Sequence, residues 1–230
     1  MFYSLSQYPG KTGEYYYNTL FKQLKLPYTY TALACTDLTE QLDNMRVNAK
    51  GFSVSMPFKE KIFDYLDLVD PLAASYSTVN TVLVEKEQLT GYTADYYGAA
   101  FIRDSIPSGW NVTILGDGSM GKLISRVIGN RITVVSRKLG NWDQKDQPTD
   151  VIINCTALGT ATKESPFTVV PDVKMIFDLA IADNQLKAQC QDRGVKYIAG
   201  IEFYKRQFIK QFEIYTGNKI SLWDFTNIQK

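Results

Sequence analysis

The 230-residue chain contains no histidine. That removes the commonest general base and the commonest side-chain metal ligand. Zinc alcohol dehydrogenases, histidine-dependent 2-hydroxy-acid dehydrogenases and serine–histidine hydrolases become poor templates. Acid–base chemistry falls to Lys, Tyr, Asp, Glu or Cys. Cysteine is scarce as well: Cys35, Cys155 and Cys190 are scattered, forming neither a disulfide framework nor a metal-spaced cluster. A reduced, cytoplasmic setting without a bound metal is the expectation. Charge of either sign is not in excess, with 25 Lys and Arg against 24 Asp and Glu and a net +1. Nothing there suggests a nucleic-acid partner. No apolar run approaches a membrane span, and the polar, Tyr-rich N-terminus does not read as a signal peptide.

What is present is alternation. Met1 to Leu5 and Thr29 to Ala34 read as strands, with a helix from Glu14 to Lys25 between them. Gly51 to Val54 reads as a strand, Lys59 to Val69 as a helix, and Asn80 to Val84 as a strand entering a turn. The pattern breaks around Ile102 to Gly109. Strand-like runs follow at 111–115, 131–135, 151–153 and 175–179, with a helical stretch from Lys122 to Ile128. The second half is thus a parallel, doubly wound βαβ series, and the whole chain is α/β. Glu202 to Tyr215 reads as a final amphipathic helix.

Gly116-Asp-Gly118-Ser119-Met120-Gly121 follows a strand and opens a helix, the setting a dinucleotide loop requires. Its glycines permit a tight turn and close backbone approach, and the helix N-terminus faces a pyrophosphate. Gly116 to Lys122 also spells most of a P-loop, but Leu123 stands where a magnesium-holding hydroxyl is needed. At the end of the next strand, Ser136-Arg137-Lys138 replaces the acidic residue of NAD sites. A hydroxyl and two cations suit a 2′-phosphate, so NADP is the expected cofactor.

Several segments together resemble the shikimate dehydrogenase family over nearly the whole chain. They are Ser53-Val-Ser-Met-Pro-Phe-Lys59-Glu, Val79-Asn80-Thr81, Gly91-Tyr-Thr-Ala-Asp95, the glycine loop, and Asp150-Val-Ile-Ile-Asn154-Cys-Thr156-Ala-Leu-Gly159. The resemblance implies a substrate-binding lobe over residues 1–98, completed by a C-terminal helix at 204–230 that returns to it. A Rossmann NADP-binding domain is implied over 99–203. It implies Lys59 and Asp95 as the catalytic pair, and Ser55, Asn80 and Gln207 as substrate contacts. Gly116, Gly118, Ser119, Met120, Gly121, Ser136, Arg137, Lys138, Asn154, Thr156, Gly159 and Gly200 are placed at the cofactor. The chemistry accords with those roles. Reducing a ketone builds an alkoxide, which an ammonium stabilises and protonates. The carboxylate orients that ammonium, although its charge alone raises the lysine pKa.

The chain departs from the family where the substrate carboxylate is held. The family's Ser-x-Ser segment is shortened to Gly10-Lys11-Thr12-Gly13-Glu14, in which Lys11 and Thr12 offer a cation and a hydroxyl instead. Ser4 and Ser6 lie too early to fill that role. Thr93-Ala94-Asp95 lacks an amide, Ala180-Ile-Ala-Asp183 lacks a tyrosine, and Phe203 replaces a methionine. The expectation is an NADP-dependent dehydrogenase, monomeric or homodimeric, acting on shikimate. The alternatives are a paralogue acting on quinate or another cyclic hydroxy acid, and a non-catalytic NADP-binding module. A short-chain dehydrogenase would need Tyr215-Thr-Gly-Asn-Lys219 as its motif, but Gly217 interrupts it.

Overall fold

The computed structural model describes residues 1–159 and 162–228. The chain divides into two compact units, Met1–Asp95 with Phe208–Lys230, and Tyr96–Gln207.

The first unit opens with β1 (Phe2–Ser6), α1 (Thr12–Gln23), β2 (Tyr30–Ala34), α2 (Leu38–Asn48) and β3 (Gly51–Val54). A 3₁₀ turn over Lys61–Tyr65 then leads to β4 (Leu68–Val69), α3 (Pro71–Tyr76), β5 (Thr81–Glu85) and β6 (Gln88–Tyr92). The six strands form one sheet in the order β2-β1-β3-β5-β6-β4. Strand β1 runs parallel to β2 and β3, while β5 is antiparallel to both β3 and β6.

Alternation along the strands sends side chains to two buried faces. Leu5, Phe52, Val54 and Val82 join Leu42, Met45 and Ile62 in one core. Phe2 packs in the other direction, its ring 4.7 Å from that of Tyr215. That second face is aromatic, with Tyr17 stacked on Tyr30 at 4.2 Å and against Phe208 at 4.4 Å.

The helix expected over 59–69 is instead the short 3₁₀ turn followed by β4. Ile62 of that turn is buried in the core. The Asp67 carboxylate, however, accepts a hydrogen bond from Leu89 N at 2.7 Å and pairs with Arg46, drawing the chain out along β6.

The second unit holds β7 (Val112–Leu115), α5 (Ser119–Ile128), β8 (Ile132–Val135), a 3₁₀ turn (Trp142–Asp146) and β9 (Val151–Asn154). It continues with β10 (Met175–Asp178), α6 (Gln185–Asp192) and β11 (Lys196–Ala199). All five strands are parallel, in the order β11-β10-β9-β7-β8. This is the doubly wound arrangement, with the chain reversing direction across the sheet at β7 and β9. The helix α4 (Asp95–Ser105) precedes it and runs further than the expected break at Ile102. It stops just before Ile106-Pro107, where proline disfavours helical backbone in the residue ahead of it. Helix α7 (Gly200–Thr216) starts in the second unit and ends in the first, followed by α8 (Leu222–Thr226). Among the described residues no helix is long and apolar enough to cross a membrane.

Candidate active site

Two sets of predicted residues gather, one in each unit. In the first, the turn after β3 carries Lys59, with Phe58 buried as its anchor. The Lys59 Nζ lies 2.5 Å from Asp95 Oδ2. Asp95 opens α4, so the helix N-terminus adds a favourable field to the carboxylate. Asn80 Nδ2 donates to the other oxygen, Oδ1, at 2.8 Å. Both Asp95 and Asn80 are only 2% exposed. The Lys59 side chain keeps 14% of its surface, so the ammonium is the accessible member of the trio. A buried carboxylate holding one reachable cation suits proton donation to an oxyanion.

Ser55 closes the same turn, its carbonyl accepting from Phe58 N at 2.9 Å. Thr12 is the first residue of α1, and Lys11 stands at its N-cap; both are exposed. Gln207 lies half-buried on α7, one turn before Gln211. Gln211 was not legible as functional, yet it is 3% exposed and bonded to the segment that carries Asn80.

The second set surrounds a cavity of about 370 Å³ at the carboxyl edge of the parallel sheet. Gly116, Gly118, Ser136, Arg137, Lys138, Trp142 and Thr156 are among its lining residues. Gly116 has φ +102°, and a Cβ at Gly121 would stand 2.0 Å from Gly116 O. The loop therefore tolerates no side chain at its last glycine, and α5 sits directly on the strand end. Gly118 caps α5, whose first turn contains Ser119, Met120 and Gly121. The Arg137 guanidinium lies over the Trp142 ring, 5.2 Å from its centroid. The Ser136 hydroxyl accepts from Leu139 N at 3.0 Å, shaping the turn that presents both cations. Glycine backbone, a helix N-terminus and two cations fit the phosphates of a dinucleotide with a 2′-phosphate.

Asn154 and Thr156 build the wall rather than reach out from it. Asn154 Oδ1 accepts from the Thr156 hydroxyl at 2.7 Å, and its Nδ2 donates to Asp178 Oδ1 at 3.0 Å. Gly159 lies buried in the same turn, and Gly200 starts α7 beside the Leu179 carbonyl. Sequence reading passed over Asp178, a carboxylate at the end of an apolar strand. It is 1% exposed and also accepts from Asn184 Nδ2 at 2.7 Å, Tyr197 OH at 2.9 Å and Ala180 N at 3.2 Å. Burial, reinforced by that charge, pushes the Cys155 thiol up and the Cys190 thiol up to about 11. Neither is a thiolate at neutral pH.

Residues 14–82 match the family model described as the shikimate dehydrogenase substrate binding domain. The shikimate dehydrogenase (NADP(+)) of Dehalococcoides mccartyi is 27% identical, covering 88% of this chain and 85% of its own length. A shikimate dehydrogenase-like protein of Haemophilus influenzae is 26% identical over 95% of this chain and 91% of itself. Among solved structures, shikimate 5-dehydrogenase of Thermus thermophilus in complex with NADP(H) and shikimate superposes with a TM-score of 0.82. It is 21% identical, over 99% of this chain and 97% of that one. A chorismate mutase/shikimate 5-dehydrogenase fusion protein of Clostridium acetobutylicum reaches 0.87, also at 21% identity, over 99% and 95%. The structural likenesses give the fold, and the sequence likenesses bear out the expected resemblance. Over most of its length the chain is similar to members of the shikimate dehydrogenase family.

Proposed function

We propose that the chain is an NADP-dependent shikimate dehydrogenase, reducing 3-dehydroshikimate to shikimate and running in reverse, as a step of chorismate and aromatic amino-acid biosynthesis. The observation that carries this reading is the Lys59–Asp95 pair at 2.5 Å with Asn80 on its far oxygen. The names of the curated relatives support the same cofactor and substrate.

When bound, the nicotinamide supplies the hydride. Arg137 and Lys138 would hold the 2′-phosphate, and the Gly116–Gly121 loop at the head of α5 would hold the pyrophosphate. Lys59, as ammonium, gives its proton to the carbonyl oxygen as that oxygen gains charge. Asp95 keeps the ammonium aimed. In the oxidative direction Lys59 takes the hydroxyl proton. Asn80 and Ser55 bond ring hydroxyls, and Gln207 adds a contact from α7. Lys11 and Thr12 at the head of α1 receive the substrate carboxylate.

Mixing protein, NADP and shikimate and following nicotinamide absorbance tests this. Cofactor reduction is expected, falling at least about a hundredfold in Lys59→Ala. No reduction with shikimate, while NADPH still binds, would overturn the assignment. Turnover of quinate in the same assay would move the chain to the paralogue reading, whose structural ground is the shortened segment at 10–14.

A further inference from the structure

Four hydrogen bonds tie the candidate active site to α7 through buried side chains. The Cα partners Ser4, Ser53 and Thr81 form a row across β1, β3 and β5, on the face opposite Phe52 and Val82. A row of small hydroxyls under an aromatic face leaves room for a longer polar side chain, and Gln211 fills it. Its Nε2 donates to Thr81 Oγ1 at 2.7 Å and to the Asn80 carbonyl at 3.2 Å. Its Oε1 accepts from Tyr17 OH at 2.8 Å and from Ser53 Oγ at 3.3 Å.

These partners fix the direction of each bond. A phenol donating to Oε1 leaves the Gln211 NH₂ facing Thr81. The Thr81 hydroxyl, having accepted, donates to Asn80 Oδ1 at 2.9 Å. Ala94 N donates to the same oxygen at 2.8 Å. Asn80 Nδ2 is then turned onto Asp95 Oδ1, and Asp95 Oδ2 remains for Lys59. Such a chain, polarised in one sense among buried side chains, reinforces each of its members.

We propose that Gln211 is a positioning residue for the Lys59–Asp95 pair, acting through Thr81 and Asn80. It holds the Asn80 amide in the one orientation that stabilises ionised Asp95. A flipped amide would set a carbonyl against the carboxylate. Losing the donated hydrogen bond withdraws that stabilisation and weakens the carboxylate's hold on the ammonium. This rests on the dehydrogenase reading for its kinetic readout, and has a second readout independent of turnover.

The test uses Gln211→Leu, Thr81→Val and Thr81→Ser. The first two break the chain at successive links, and the serine variant restores the hydroxyl. With shikimate, Gln211→Leu and Thr81→Val are expected to lower kcat between about 10- and 100-fold, the size of effect expected from small misplacements. KM for NADP stays unchanged, and the acid limb of the pH profile for shikimate oxidation moves downward, following the base that takes the hydroxyl proton. Thr81→Ser keeps near-native values. The independent measurement is the Lys59 pKa, from NMR of ¹³C-methylated lysines assigned with Lys59→Arg. It is expected to fall in Gln211→Leu and Thr81→Val and to hold in Thr81→Ser. Folded variants with native kcat, native pH profile and an unmoved Lys59 pKa would overturn the proposal. If the native protein does not turn over shikimate, the dehydrogenase reading fails alone and the Lys59 titration decides this one. Should Gln211→Leu fail to fold, Thr81→Val against Thr81→Ser carries the same comparison.

Discussion

The two candidate sites are built by opposite means. Around Lys59, side chains do the work: Asp95, Asn80, Thr81 and Gln211 are buried and each is held by named partners. Around the cavity of the second unit, backbone does it, through Gly116, Gly118 and Gly121 at the head of α5, with Arg137 and Lys138 at the rim. On the proposed reading, the first design fixes a proton donor in advance. The second would grip a long, flexible anion with donors that cannot be mutated away one at a time. Substitutions in the first should therefore damage kcat and stability together, whereas rim substitutions in the second should change affinity alone.

Asp95→Asn is the sharpest way to break this contrast. It removes the charge that orients Lys59 and is expected to lower kcat about a hundredfold, with NADPH affinity unchanged by fluorescence titration. Next in size is Gly121→Ala. Its Cβ would fall on the Gly116 carbonyl, so α5 must shift, at a cost of about 1–3 kcal/mol in the stability read from urea unfolding. If that variant kept native stability, the loop would be looser than its geometry states. Arg137→Ala comes third. It should weaken NADP about tenfold by calorimetry and leave NAD nearly untouched, since only the 2′-phosphate loses a partner. Equal loss for both nucleotides would assign Arg137 to the adenine ring instead.

The smallest effect is alkaline. The Cys190 thiol, pushed up to about 11, favours the folded state while protonated. Its contribution is present below pH 9, the ordinary value, and is lost as pH rises towards 11. Tyr30, raised to about 12 by burial, extends the same trend. Thermal midpoints should hold steady from about pH 7 to about 8.5 and then decline, and Cys190→Ala should flatten the first part of that decline.

Local patterns carried most of the fold. Largely apolar runs located β7, β8, β9 and β10; every residue of β7, β9 and β10 is buried, as parallel strands covered on both faces require. The β5–β6 hairpin was half hidden. Its turn is Lys86-Glu87, both at positive φ, where Asn-Gly would have announced it. Helix α2 also escaped, since its buried residues Leu38, Leu42 and Met45 are diluted by polar ones. At the site, Lys59, Asn80 and Asp95 were legible from their segments, and the structure brings them together. Gln211 was not, because a glutamine on an amphipathic helix reads as surface until the hydroxyl row across three strands is seen to receive it.

Helix α7 has one further consequence. The residues that complete the aromatic core of the first unit, Phe208, Phe212 and Tyr215 among them, come more than a hundred positions after Asp95. During synthesis the ribosome delivers every residue of Tyr96–Gln207 before it delivers those. The second unit thus has its full complement first and can fold as a finished body, while the earlier-made Met1–Asp95 segment waits with its aromatic face uncovered. For this chain the order of synthesis and the order of domain completion are reversed. A nascent chain stalled near Gln207 should expose Phe2, Tyr17 and Phe21 to chaperones.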